Sequence, residues 1–212
     1  MTTEKTSGSD YRSRQKRVGD ALRQDTRNRL LQAAEAEFAA HGYAGTTVTR
    51  LAAAAGVSVQ TLYLAWGSKR ALLRGYMERV LAGPASSPED AAARFAGMEP
   101  RQRTEELANL VAEIAERAST GWTLYRDAAA VDPEIAGDWN ELQLLRHQLF
   151  AQVISAIPGT ALTPGLTAKA ATDTAWAIAS PESYDLLVNR LHYTLDDFRQ
   201  WLRQTLPAAL LA

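Results

Sequence analysis

The stretch TTVTRLAAAAGVSVQTLYLAWGSKRALL, residues 46–73, sets three helix starts and a sharp corner in fewer than thirty positions. Thr47 is placed to cap one short helix, which Gly56 ends. Ser58 caps the next, and Ser68, beyond the break at Gly67, caps a third. Two short helices joined by a tight glycine-containing turn predict a helix-turn-helix, in which the first helix spans the backbone of a nucleic acid and the second enters the major groove. On the second helix Val59, Gln60, Thr61 and Tyr63 mix hydrogen-bonding groups with methyl-bearing surface. Leu51, Ala52, Ala55, Val57, Leu62 and Trp66 are expected to be core, the alanine run letting the helices approach closely.

Upstream, Asp25 to Ala40 is amphipathic, with Leu30, Ala34 and Phe38 repeating every four residues and Leu31 beside them. Gly42 stands where a helix ends on a left-handed residue, and Tyr43 is expected to pack back on that helix. This first helix reads as the structural floor of a small domain. Downstream, Ser68 to about Leu81 predicts a longer helix with Leu72, Leu73, Tyr76, Met77 and Val80 on its apolar stripe, ending at Gly83-Pro84.

Taken together, an apolar helix ending AxxxF, then HGY, a threonine pair, xxLAxxAGVS, TLYxxW and GSKxxLL form an ordered series over about fifty residues. That series resembles the TetR family (tetracycline-repressor-type) of transcriptional regulators. The chain departs from the family's pattern in carrying Trp66 where a Phe is usual and Ala65 where a Tyr or His is frequent; the second change removes one group able to contact phosphate. The resemblance implies an all-α fold, with an N-terminal three-helix DNA-binding domain followed by an all-helical ligand-binding and dimerisation domain. It further implies phosphate contacts from Thr47, Tyr63 and Lys69, and a linking helix that couples ligand state to headpiece spacing. Thr47 at a helix N-terminus offers a hydroxyl and backbone N–H groups to a phosphate. Base reading is expected of Thr49, Arg50, Ser58, Val59, Gln60 and Thr61, with Gln60 suited to adenine and Val59 or Thr61 to a thymine methyl.

Charge divides in the same way. Residues 1–74 carry 12 Lys+Arg and 6 Asp+Glu, a balance of +6; residues 75–212 carry 11 and 18, a balance of -7. A positive segment around a helix-turn-helix supplies the electrostatics of DNA binding, while an acidic remainder is repelled by phosphate. Residues 1–20, polar and bearing Arg12, Arg14, Lys16 and Arg17, are expected to be a disordered basic arm, followed by a DNA-binding domain over 21–74 and a regulatory domain over 75–212. The chain has no Cys, which excludes disulfides and thiolate-bound metal. With no apolar run of membrane-spanning length and no apolar signal core at the N-terminus, the expected location is the cytoplasm, without membrane attachment.

The acidic region reads as helix throughout. Pro88-Glu89-Asp90 suggests one start; Thr104–Ser119 is amphipathic and Thr120–Val131 follows it as a further segment. Asp132-Pro133-Glu134 is a strong start for a helix to Ile157, with Ile135, Trp139, Leu142, Leu145, Leu149 and Val153 inward. After the loop PGTALTPGL, segments at Lys169–Ala179, Ser180 onward through Leu191, and Thr194 onward complete the chain. An isologous homodimer is the assembly a two-half-site operator requires. Ala171, Ala175, Tyr184, Leu187, Phe198, Trp201 and Leu202 are the residues expected at its interface.

For a ligand pocket among these helices the candidates are Trp122, Tyr125, Trp139, Arg146, His147, Phe150 and Trp176, a set that suits a small apolar or aromatic effector. Arg146 and His147 could anchor an anionic or hydrogen-bonding group. His41, His147 and His192 are too scattered for a metal set, no cofactor motif occurs, and no phosphate-cradling loop or nucleophile elbow points to an enzyme. The expected function is a ligand-responsive, sequence-specific DNA-binding regulator, a repressor released from double-stranded operator DNA by its effector. The competing readings are a dimeric DNA-binding regulator without a working pocket, and a metabolite-handling protein with a vestigial headpiece.

Overall fold

The computed structural model describes residues 6–82 and 94–212. Among them every regular element is helical apart from one isolated bridge, Leu162 to Leu211. The chain is all-α and forms two compact units, Met1–Tyr76 and Met77–Ala212.

In the first unit, helix α1 spans Thr6–Gly45, α2 Val48–Ala54, α3 Val59–Trp66, and α4 begins at Lys69 and runs to Ala82. Residues 6–20, expected to be a disordered arm, are helical and continuous with the amphipathic stretch that follows; residues 1–5 lie outside the described part. The helix breaks at Gly42, whose φ of 66° and ψ of 175° belong to a region that side chains disfavour. Thr46, fully buried, closes this corner by donating its hydroxyl to the carbonyls of Glu37 (3.0 Å) and Gly42 (2.8 Å). Leu30, Ala34 and Phe38 of α1 meet Leu51 and Ala52 of α2, Leu62 of α3 and Leu72 and Leu73 of α4 in one buried core. Val57 and Trp66, expected in that core, are only half-buried.

The second unit takes the end of α4 and five further helices: α5 Pro100–Ala129, α6 Pro133–Ser155, α7 Ala168–Ile178, α8 Pro181–Tyr184 and α9 Leu195–Leu210. Helix α5 packs on α6, α6 on α7, α7 on α9 and α9 back on α5, which closes a four-helix ring. A 3-10 turn at Gly159–Ala161 and a π-helical turn at Asp185–Arg190 fill two connections. Helix starts follow the polar residues: Asp132 accepts from the amides of Glu134 and Ile135, Thr167 from Ala170, Ser180 from Ser183, and Thr194 exchanges bonds with Asp197. The two segments expected at Thr104–Ser119 and Thr120–Val131 are one helix of 30 residues, because Gly121 is buried within it and no proline interrupts. The start expected at Pro88-Glu89-Asp90 lies outside the described residues.

Two further expectations are corrected. Leu145 and Leu149 do not point into the core of α6: they are 53% and 54% exposed, and Ile135, Phe150 and Ile154 fill the interior instead. Ala171, Ala175, Phe198 and Leu202 are completely buried inside a single chain, so they cannot touch a second copy. Tyr184 stacks edge-on against Phe198 at 5.2 Å, and Phe198 against Trp201 at 6.0 Å, which makes this aromatic run a core seam of the unit with Tyr184, Leu187 and Trp201 at its partly exposed rim.

Candidate nucleic-acid interface and regulatory cavity

The site on the first unit is a surface held from behind by cations. Ser58 caps α3 by accepting from the Thr61 amide at 3.0 Å, and its hydroxyl also bonds the Thr61 hydroxyl at 2.8 Å. These two side chains therefore organise the helix start before any partner arrives. Val59 and Gln60 are exposed, Tyr63 is 50% exposed and Leu64 is 82% exposed, so α3 carries a broad unburied face. Tyr63 is not a core residue. Thr47 caps α2 through the Arg50 amide at 3.2 Å and is itself exposed, as is Thr49. Arg50 is tied on its own surface, donating to Glu37 Oε2 at 2.9 Å and lying 2.6 Å from His41 Nε2.

Behind that face, three basic side chains clasp backbone carbonyls. Arg29 reaches from α1 to the turn between α2 and α3, donating to the carbonyls of Ala55 (2.5 Å) and Gly56 (3.1 Å). Gly56 is left-handed at φ 63°, a conformation that favours glycine, and a Cβ there would meet the Arg29 guanidinium at 2.9 Å, so another residue would strain the turn and shift the arginine. Arg27 donates to the carbonyl of Ala65 at 2.7 Å near the C-terminus of α3, a favourable place for a cation, and lies 4.0 Å above the Trp66 ring. The other side of Trp66 presses on Gly75, where a Cβ would fall 2.2 Å from the indole.

Lys69 completes the clasp. Its ammonium donates to the carbonyls of Tyr43 and Thr46, both at 2.9 Å, and sits 3.9 Å over the Tyr43 ring. The cation expected at a phosphate is thus bonded at the α1–α2 corner, where an ammonium satisfies carbonyls that end a helix. Nothing in the helical pattern of α1 marks Arg27 and Arg29, which lie off its apolar stripe of Leu30, Ala34 and Phe38, as partners of α3. The partner carbonyls, at sequence separations of 38 and 26, leave no local trace.

The second unit holds a cavity of about 240 Å³ between α4, α5 and α6, floored near the α7–α8 junction. Of the expected pocket residues Trp122, Trp139, Arg146 and Phe150 line it; Tyr125, His147 and Trp176 do not. Tyr125 is fully buried and stacks on Trp139 at 6.2 Å, a packing role. His147 faces α7 instead, 2.8 Å from Asp173 Oδ1 and edge-on to Trp176 at 5.7 Å. Leu107, Leu110, Ile114, Leu142, Leu145 and Leu149 supply apolar wall that pocket reasoning from aromatics alone had passed over.

Arg146 sits on that wall with its guanidinium against the end of α7. It donates to the carbonyls of Trp176 (3.2 Å) and Ala179 (3.1 Å), while Nε donates to Gln143 Oε1 at 3.1 Å. Burial pushes its pKa down to about 10, partly offset by the field of Glu182. Among the described residues no group of three or more His, Cys, Asp or Glu is placed to hold a metal ion, and no helix is long and apolar enough to cross a membrane.

The family model described as bacterial regulatory proteins, tetR family, matches residues 30–76, the segment from the middle of α1 into α4. No curated protein sequence matches this chain. Among solved structures it is similar to NalD, the secondary repressor of the MexAB-OprM multidrug efflux pump in Pseudomonas aeruginosa, at 20% identity and a TM-score of 0.69, covering 89% of this chain and 98% of that one. It is also similar to a transcriptional regulator of the TerR/AcrR family from Aquifex aeolicus VF5 (16% identity, 86% and 98% covered, TM-score 0.64) and to a TetR-like transcriptional regulator from Rhodococcus sp. RHA1 (18% identity, 86% and 93% covered, TM-score 0.61). At these identities the structures establish a shared fold spanning both units.

Proposed function

We propose that this chain, whose residues 30–76 match the tetR-family model, is a TetR-type repressor that leaves its operator when a small apolar molecule fills the cavity of its second unit. As a TetR-family protein it is a DNA-binding transcription regulator, not an enzyme. Such regulators act as dimers on operator DNA. The release by a ligand is the further step, and one observation carries it: an apolar cavity lined by helices of the second unit and open on one side, with only Gln143 and Arg146 as strongly polar side chains on its lining. Helix α4 supports the coupling, because Leu72 and Leu73 belong to the headpiece core while Met77 and Leu81 belong to the cavity wall. A ligand that favours the DNA-free arrangement shifts the population by its differential affinity for the two states, and one with equal affinity for both shifts nothing.

On the DNA side we assign base reading to the exposed Val59, Gln60 and Thr49, and phosphate contact to Thr47 and Tyr63, with Ser58 and Thr61 preorganising α3. Arg50 contributes once its ties to Glu37 and His41 are exchanged. The test is a titration of the protein on duplex flanking its own gene, with and without apolar and aromatic small molecules. Specific binding relieved by at least one such compound supports the proposal; specific binding that none relieves favours a regulator without a working pocket.

A further inference from the structure

The polar side chains that line the cavity of the second unit include donors and one amide oxygen but no carboxylate. Trp122 and Trp139 carry indole N–H groups, Gln143 and Arg146 carry amide and guanidinium N–H groups, and no Asp or Glu belongs to the lining. Gln143 already uses its carbonyl oxygen to accept from Arg146 Nε, which leaves its NH2 to donate. Arg146 makes four hydrogen bonds, all to neutral oxygens: one from Nε, two from Nη1 and one from Nη2. Of a guanidinium's five N–H groups one, on Nη2, has no partner among the described residues. No carboxylate of the described residues forms an ion pair with it. A cation is thus held beside an apolar cavity, largely desolvated, with the field of Glu182 offsetting its burial only in part and no ion pair among the described residues, and this is an arrangement that an incoming anion relieves.

From this geometry we infer that the effector is an apolar carboxylic acid, its carboxylate bonded by Arg146 and the Gln143 amide and its hydrocarbon or aromatic body lying on Leu107, Leu110, Ile114 and Leu142. The inference rests on the reading of the cavity as the effector site and names the chemistry that reading leaves open. A carboxylate offers about four lone-pair sites to the donors present, and hydrogen bonds to charged groups are the strong ones. The body is small: about 240 Å³ lies just under the roughly 300 Å³ at which typical ligand pockets begin. A medium-chain or bicyclic aromatic acid fits this measure. His147 takes no part, since its ring is engaged with Asp173 and lies off the cavity. The lowered pKa of Arg146, caused first by burial, agrees with a cation that Glu182 compensates only in part, and at about 10 it remains charged at neutral pH.

Calorimetric titration of the full chain at pH 7 with two matched pairs tests this: octanoate against 1-octanol, and 1-naphthoate against 1-naphthalenemethanol. Each carboxylate is expected to bind about tenfold or more tighter than its alcohol. In Arg146→Met, which keeps the stem but removes the charge, that ratio is expected to collapse to about one with alcohol binding retained; in Arg146→Lys the preference persists at reduced size. Because Arg146 also caps α7, loss of folding in the methionine variant shifts the decision to the wild-type pairs and the lysine variant. Equal or tighter binding of the alcohols, a preference that survives in Arg146→Met, or no binding of either acid up to millimolar concentration each overturns the inference. The wider reading is separated by adding the same compounds to the protein–DNA complex: release by an alcohol but not an acid sinks the inference and keeps ligand control. Acid binding without release keeps the site and sinks ligand control.

Discussion

Single side chains decide more of the headpiece than their chemistry in isolation suggests. Lys69 sits at the start of α4 in a motif that resembles a phosphate clamp, yet its ammonium is bonded to the Tyr43 and Thr46 carbonyls. Lys69→Ala is therefore expected to destabilise the first unit by about 1–3 kcal/mol, as loss of hydrogen bonds from a charged donor does, and this is checked by urea unfolding. Unchanged stability together with a flattened salt dependence of DNA binding would return Lys69 to the phosphate clamp. Trp66 poses a steric case: its indole fills the space a side chain at position 75 would take, with a Cβ only 2.2 Å from the ring. Gly75→Ala is expected to overpack that contact and cost about 1–3 kcal/mol, measured as a lower midpoint in the same denaturation. Neither relation was legible in the sequence, where position 75 is one more residue of an amphipathic helix. Pattern reading sees which residues share a face, but not which distant backbone or ring they meet.

At the scale of elements the sequence was far more legible. Thr47, Ser58, Asp132, Ser180 and Thr194 all cap helices as their positions predicted, because a cap is a local bond between a side chain and amides two or three residues on. Burial of Leu30, Ala34 and Phe38 followed from their spacing for the same reason. The failures lie where one helix face has two possible neighbours. Phe198 and Leu202 of α9 fill the interior of their own chain, and a stripe of apolar residues does not say whether its partner is the same molecule or another. Leu145 and Leu149 erred in the opposite sense, as a cavity wall that periodicity counted as core. Helix α3 keeps Gln60 on an exposed face, so Gln60→Ala is expected to change which base is preferred at one operator position by about 1–3 kcal/mol while leaving non-specific affinity nearly constant; a comparison of binding to single-base operator variants checks it. Helix α5 provides a pH prediction. Glu113, bonded in bidentate fashion by Arg94 at 2.8 Å, is held below its ordinary value of 4.5, chiefly by that hydrogen bond. A carboxyl lowered on folding adds stability that is present above its unfolded pKa and is lost as pH falls through the folded one. Acid unfolding of Glu113→Gln should accordingly show less stability than the wild type at neutral pH and a shallower loss below about pH 4.5. Parallel acid profiles would remove Glu113 from the account.

For the whole molecule, the charge division into a positive N-terminal segment and a negative remainder stays meaningful, although the structure spends part of the positive charge internally on carbonyls through Arg27, Arg29 and Lys69. Long-range attraction to DNA persists, because a cation hydrogen-bonded to a neutral carbonyl keeps its charge and its field. Arg27 and Arg29 hold α3 and the turn before it, and Lys69 holds the α1–α2 corner. The fold of the first unit and its match to the tetR-family model were legible because they rest on an ordered local motif. The cavity was legible only in part, because it is assembled from residues more than a hundred positions apart, from Met77 to Pro181.

The most direct measurement is an anisotropy titration of labelled duplex flanking the chain's own gene, run at several salt concentrations with wild type and with Gln60→Ala in parallel. The account predicts specific binding by the wild type with log K falling steeply against log salt, and a variant that loses discrimination between operator and scrambled duplex but keeps nearly the same salt slope. No binding to any duplex at low salt, or a Gln60→Ala variant that discriminates as well as the wild type, would contradict it.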